Sequence, residues 1–431
     1  MPNPDLAVHF FFQIAVILLA CRVVGIIAAR FGQPQVVAEM ITGVLLGPSL
    51  FGLVLPEWQQ AIFPWDKTQL TRDSQSYLFP ASQLGLALYM FIVGLEFRVD
   101  VIRANFSSSI AVSVAGMITP FVLGAGLAYG MFYHSKLFPE GTSLFEAIMF
   151  LGASMCITAF PMLARIIHFK GLTGTLMGTV AIGAGAIDDA LAWCLLAVVL
   201  SSFDNDLSKA LWSIGGGIGF VAFAILVLRP TLNHVQRWLI GVDGKLTDGG
   251  VVIGLVCMAL GAWFTDKIQL HAVFGAFVIG AMIPRGAMQR DLVERIQPLT
   301  VALLLPLFFT YSGLNTQIDL LNSTYLWCIC GLVLLAAIGG KGIACWLAAR
   351  ASGITNREAL GIGALMNARG LMELIIINIG LQRGIISAEL FATLVVMAVV
   401  TTLMASPIFD HLVKSPSSKE PLTEDGQVLA T

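Results

Sequence analysis

Charge is what this chain has least of. Lys, Arg, Asp and Glu make up 12% of its 431 residues, against roughly 25% in an ordinary soluble domain. So few charges cannot cover a water-facing surface, which argues for an integral membrane protein. The formal net charge is −2, so there is no basic excess to attract nucleic acid. The 7 cysteines all lie in apolar runs without C-x-x-C spacing, which indicates neither a zinc site nor a disulfide framework. The first apolar run, 6–29, lacks a preceding basic segment and is too long for the core of a cleavable signal, so it is expected to remain as a span. Polar stretches such as 57–78 are short. They leave no room for a soluble domain, and nothing in them calls for a cofactor.

Apolar residues fill the space that charge vacates: 57% of the chain is hydrophobic and the mean hydropathy is +0.86. A helix needs about 20 apolar residues to cross the hydrocarbon core. On that basis spans are predicted at 6–29, 35–54, 79–97, 106–132, 144–168, 173–201, 210–229, 247–265, 269–285, 297–317, 323–349, 357–381 and 387–412. The chain therefore reads as an all-α polytopic membrane protein with about 13 spans in a transmembrane domain over 1–412. With that count, 15 Lys and Arg fall in the odd-numbered loops and the tail, and 6 in the even-numbered loops. The positive-inside rule then puts the N-terminus outside and the C-terminus in the cytoplasm, with the cell (inner) membrane as the expected host. The tail, 413–431, is rich in Ser, Pro and charge and is expected to be disordered. Six spans, a seventh crossing and six more from the opposite face make the arithmetic of an inverted repeat.

Against this background two adjacent carboxylates stand out. Asp188 and Asp189 lie mid-way along the sixth span, and ionisable residues at membrane depth mark functional sites by default. Neighbours on a helix point about 100° apart, so the pair suits two partners better than one shared ion. Lys341, within the run 336–342 of the eleventh span, is the obvious counter-charge for one of them. Small residues beside it let another helix approach closely.

Spans five and twelve each carry a mid-membrane interruption. In the fifth, Pro161 should free carbonyls near Ile157 and Thr158, and with the Ser154 and Thr158 hydroxyls these make suitable cation ligands. In the twelfth, Asn367 stands in the interruption, and Arg369 and Glu373 form an i, i+4 pair able to neutralise one another. Interruptions in matching slots of two halves are a pointer to a transport site. Glu39, Glu96, His9 and His271 read as helix-contact or hydrogen-bonding residues. Gly43 and Gly47 read as a close-packing motif.

The runs 33–48, 90–96 and 157–165 resemble those of monovalent cation:proton antiporters, second branch of their superfamily. The stretches 311–314 and 367–374 look like the plant cation/proton exchangers, and the resemblance covers about 8–412. It implies the Na+/H+ antiporter fold, with two crossing discontinuous helices. It implies Asp189 as the cation- and proton-binding carboxylate and Asp188 as the partner of Lys341. It also implies a homodimer in the bilayer, with 6–97 and 247–317 as scaffold, 106–201 and 323–412 as a moving core, and 210–229 as a linker helix. An Asp–Asp pair with a lysine resembles electrogenic members. Asn315 departs from the lysine common in plant relatives, and likeness to the glutathione-gated potassium efflux systems stops at the membrane part.

The expected activity is electrogenic exchange of Na+ for H+ by alternating access around Asp189, with K+/H+ exchange as the alternative and no enzymatic step. The only metal expected is the transported cation. A channel or a sodium-coupled symporter would use similar carboxylates. An intramembrane aspartyl protease would need aspartates on facing helices, and these are adjacent on one.

Overall fold

A computed structural model describes residues 4–48, 50–63, 69–97, 105–172, 174–203, 207–268, 270–314 and 321–413. Asn315 and the tail from 414 onward lie outside them. Helix α1 covers Pro4–Arg30, α2 Gln35–Leu46, α3 Phe51–Val54, α4 Pro56–Ile62, α5 Gln69–Glu96 and α6 Phe106–His134. The fifth span is two helices, α7 (Leu144–Cys156) and α8 (Phe160–Phe169), and α9 is Leu176–Phe203. The seventh comprises α10 (Leu207–Phe223), a π-helical turn at Ala224–Leu228, and α11 (Arg229–Leu239). The second half follows with α12 (Asp248–Lys267), α13 (Ala272–Met282), α14 (Ala287–Leu299), a π-helical turn at Thr300–Leu304, and α15 (Leu305–Leu314). It closes with α16 (Thr324–Ala351), α17 (Asn356–Leu365), α18 (Leu371–Gln382) and α19 (Ala388–Leu412).

Local chemistry sets many of these boundaries. Hydroxyl residues cap five span starts: Ser143, Thr247, Ser323, Thr355 and Ser387 each accept the N–H three residues on. That satisfies a donor that would otherwise be orphaned at the membrane interface. Pro161 lies in the first turn of α8, and the three residues before α8 are non-helical. A proline N-terminal turn is tolerated, while continuing the helix through it is not.

The second span covers 35–54 as expected, with Gly47 and Pro48 interrupting the regular helix between α2 and α3. Three predicted spans need correction. The seventh is not limited to 210–229: Pro230 sits in the first turn of α11 and the helix continues past it. The ninth is shorter than 269–285, with a regular helix of 11 residues. The tenth starts at Ala287, ahead of the predicted 297, and accommodates Pro298 within its helix just before the π turn. A π turn re-forms the hydrogen-bond ladder that a proline disrupts.

Among the described residues nine helices are long and apolar enough to cross a membrane. Their outward faces carry side chains such as Phe11, Leu19, Ile118, Val122, Leu335 and Leu347 in exposed positions. An apolar exterior on this scale suits lipid, not water.

Packing repeats between the halves. Helix α2 lies against α15, and α5 against α13, which are the second span on the tenth and the third on the ninth. Both contacts close on facing glycines. A Cβ at Gly313 would run into the Gly43 backbone, and one at Gly94 would come within 2.9 Å of the Ala281 nitrogen. Likewise α6 packs on α7 as α16 packs on α17, and α6 meets α16. An inverted repeat predicts this exchange of partners.

Candidate functional site

The two interrupted spans cross at their breaks. Residues 157–159 separate α7 from α8, and the segment between α17 and α18 holds Asn367, Ala368 and Arg369. The Ala159 N–H donates to the Ala368 carbonyl at 3.2 Å, joining the two breaks directly. Each break exposes the carbonyl end of one short helix and the amide end of the next. Backbone groups at those ends need partners inside the membrane.

Side chains supply them. Arg369 is fully buried. Its guanidinium donates to the Met155 carbonyl at 2.7 Å and the Ser154 carbonyl at 3.3 Å, and it pairs with Glu373 at 3.3 Å. Lys341 donates to the Cys156 carbonyl. Two cations thus cover the negative end of α7, where the helix dipole favours them. Glu373 lies in the first turn of α18, the end that favours an anion. On the far side Thr402 of α19 clamps Arg369: its hydroxyl accepts the Arg369 N–H at 3.1 Å and lies 2.7 Å from the Arg369 carbonyl.

The adjacent aspartates have opposite surroundings. Asp188 is surrounded by donors. Ser113 reaches Oδ1 at 2.5 Å, Thr158 reaches Oδ2 at 2.5 Å, and the Lys341 ammonium stands 3.4 Å from Oδ2. Asp189 is 1% exposed, and among the described residues neither of its oxygens has a hydrogen-bond partner. An ionised carboxylate can only accept, and burying one without a donor or cation is very costly. Asp189 is therefore left needing a proton or a cation.

The eight residues singled out from sequence fall in three groups. Asp188, Lys341 and Thr158 are brought together, with Asp189 next along α9. Arg369 and Glu373 pair at the crossing. Ser154 and Asn367 sit at the breaks but make local contacts: the Ser154 hydroxyl donates to the Phe150 carbonyl at 2.8 Å, and the Asn367 amide donates to the Gly363 carbonyl at 3.1 Å. Asn367 Oδ1 is buried without a partner among the described residues. The carbonyls just before the first break, those of Ser154, Met155 and Cys156, accept from Arg369 and Lys341. Sequence reasoning missed Ser113 and Thr402. Hydroxyl residues four apart in an apolar span (Ser109 and Ser113) were the available signal for the former.

Residues 14–415 match the family model described as sodium/hydrogen exchanger, transmembrane. The chain belongs to that family. It is 37% identical over 407 residues to the Na(+)/H(+) antiporter NhaS4 of Synechocystis, covering 94% of this chain and 97% of the relative. It is 34% identical over 405 residues to cation/H(+) antiporter 20 of Arabidopsis thaliana, covering 92% of this chain and 47% of the plant protein. It thus spans about half the length of the plant relative. The solved sodium proton antiporter MjNhaP1 of Methanocaldococcus jannaschii aligns with a TM-score of 0.64 at 13% identity, over 95% of this chain and 99% of that chain. The fold is accordingly that of the Na+/H+ antiporters, and the protein is a multi-pass integral membrane protein.

Proposed function

We propose that this protein is a secondary antiporter exchanging a monovalent cation, Na+, for protons by alternating access around Asp189. The observation that carries this reading is the contrast inside the aspartate pair. One carboxylate is partnered by Ser113, Thr158 and Lys341, and its neighbour, equally buried, has no partner among the described residues. A carboxylate in that condition holds a proton or a cation and never both, which is the requirement for exchange. The antiporter names of the sequence relatives support the same activity, and the plant relative's name leaves the cation open. K+/H+ exchange by the same site is the alternative.

In this mechanism Na+ displaces the proton of Asp189, and Lys341 answers the change of charge by shifting between Asp188 and the Cys156 carbonyl. The lysine makes the exchange electrogenic. The helices of 106–201 and 323–412 move as a core against a scaffold of 6–97 and 247–317, with 210–229 in the linking helix. Packing is consistent with this division, since α2–α15 and α5–α13 lie within one group and α6–α7, α6–α16 and α16–α17 within the other. The scaffold also supplies the homodimer contact. The protein sits in the cell (inner) membrane with its N-terminus outside and its C-terminus in the cytoplasm.

The test uses purified protein in liposomes with an imposed proton gradient, a pH-reporting dye, and Na+, K+ and Li+ added in turn. Wild type releases protons on Na+ addition, and Asp189→Asn abolishes the signal. An Asp189→Asn variant that exchanges at the wild-type rate would overturn the assignment. A larger response to K+ than to Na+ would move the reading to the alternative.

A further inference from the structure

The mechanism above gives no separate role to one of the hydroxyls that face Asp188. Ser113 is fully buried on α6, and its hydroxyl is directed at Asp188 Oδ1 at 2.5 Å. Ser109, one turn earlier and equally buried, donates to a backbone carbonyl instead, that of Val180 at 3.4 Å. The same residue type on the same face thus meets two kinds of acceptor, and only Ser113 meets a carboxylate.

Lys341 has divided its donors. It bonds the Cys156 carbonyl as well as facing Asp188 Oδ2. The two hydroxyls of Ser113 and Thr158 reach Asp188 from two other elements, α6 and the first break. In an apolar interior a carboxylate keeps its charge only while donors or a cation answer it. When the ammonium is drawn toward the break or gives up its proton, those hydroxyls remain. The titratable and charged groups that interact around this point are Asp188 and Asp189 on α9, Lys341 and Cys345 on α16, Cys156 at the end of α7, and Arg369 and Glu373 at the second break. Helix α6 contributes Ser113 to the same point, and α16, its counterpart in the other half, contributes Lys341.

We propose that Ser113 is a positioning residue for cation–proton exchange. With Thr158 it holds Asp188 as an anion while Lys341 changes partner, so the exchanging protons are carried by Asp189 and Lys341 and not by Asp188. The inference rests on the reading of Asp189 as the exchange carboxylate.

The experiment compares full-length wild type, Ser113→Ala, Ser113→Thr, Ser109→Ala and Asp189→Asn in liposomes, recording Na+-driven proton release from pH 6 to pH 9 as a profile. A carboxylate with one donor fewer holds a proton more readily, so Ser113→Ala displaces the half-maximal point upward by about half a pH unit or more. Ser113→Thr restores the wild-type profile. Ser109→Ala, which removes only a bond to a carbonyl, leaves the profile in place. A Ser113→Ala profile that coincides with wild type, or one that Ser113→Thr fails to restore, overturns the inference even when Asp189→Asn is inactive. Exchange by Asp189→Asn at the wild-type rate sinks the underlying site reading instead. Should Ser113→Ala not yield folded protein, Ser113→Thr and Ser113→Val decide, since they match in shape and differ in the hydroxyl. Identical profiles for that pair overturn the inference, and a profile displaced only in Ser113→Val supports it.

Discussion

The two halves of the molecule place the same parts in the same slots and fill them with opposite chemistry. In the first half, the residue at the break is Thr158, and the next span (α9) holds it through a charged group, Asp188. In the second half, the residue at the break is the charged one, Arg369, and the next span (α19) holds it through a neutral hydroxyl, Thr402. Span four offers Ser113 where span eleven offers Lys341. The backbone architecture is therefore close to symmetric while its charge is not. The imbalance is resolved across the crossing, where the cations of the second half cover the carbonyls of the first.

That asymmetry can be broken at three points, with effects of decreasing size. Arg369→Ala removes the partner of buried Glu373 and two donors from the end of α7, so it should destabilise by about 3–5 kcal/mol, the usual loss when one member of a buried pair is removed. Thermal unfolding in detergent measures it, and a change near zero would mean that water or lipid satisfies that helix end. Lys341→Ala leaves Asp188 with Ser113 and Thr158, so its stability loss should be smaller, roughly 1–3 kcal/mol. Its larger effect is functional: membrane-potential-dependent exchange should change while Na+ addition still releases protons. Ser154→Ala should cost less than about 1 kcal/mol and leave Na+ dependence unchanged, because the hydroxyl bonds its own helix and not the site. A marked rise in the Na+ concentration needed for half-maximal exchange would return Ser154 to the list of cation ligands.

Much of the site was legible as violations of expectation. Ionisable residues in apolar runs are rare enough that Asp188, Asp189, Lys341, Arg369 and Glu373 could be picked out singly, and Pro161 announced the first break through its missing N–H. The partner assignments were harder to reach. Thr158 carries the same hydroxyl whether it faces a cation or Asp188, and nothing local distinguishes the two. Ser113 and Thr402 were missed because hydroxyl residues are common in membrane helices, and their targets lie 75 and 33 residues away in the chain. Span ends were misjudged where a proline was absorbed, as at Pro230 and Pro298, while Gly47 and Pro48 interrupt a helix without ending the span. The difference depends on what packs beside the helix.

What the sequence determined by itself was the class of structure and the existence of a charged centre. Lipid cannot satisfy backbone groups or charges, so hydropathy and misplaced ionisable residues report on both without reference to neighbours. The residues alone did not divide the aspartate pair; the family resemblance implied a division, and the tertiary structure supplies the physical groups around Asp188. Adjacent residues on one helix point at different neighbours, and those neighbours (Ser113, Thr158 and Lys341) come from three separate elements that folding alone brings together.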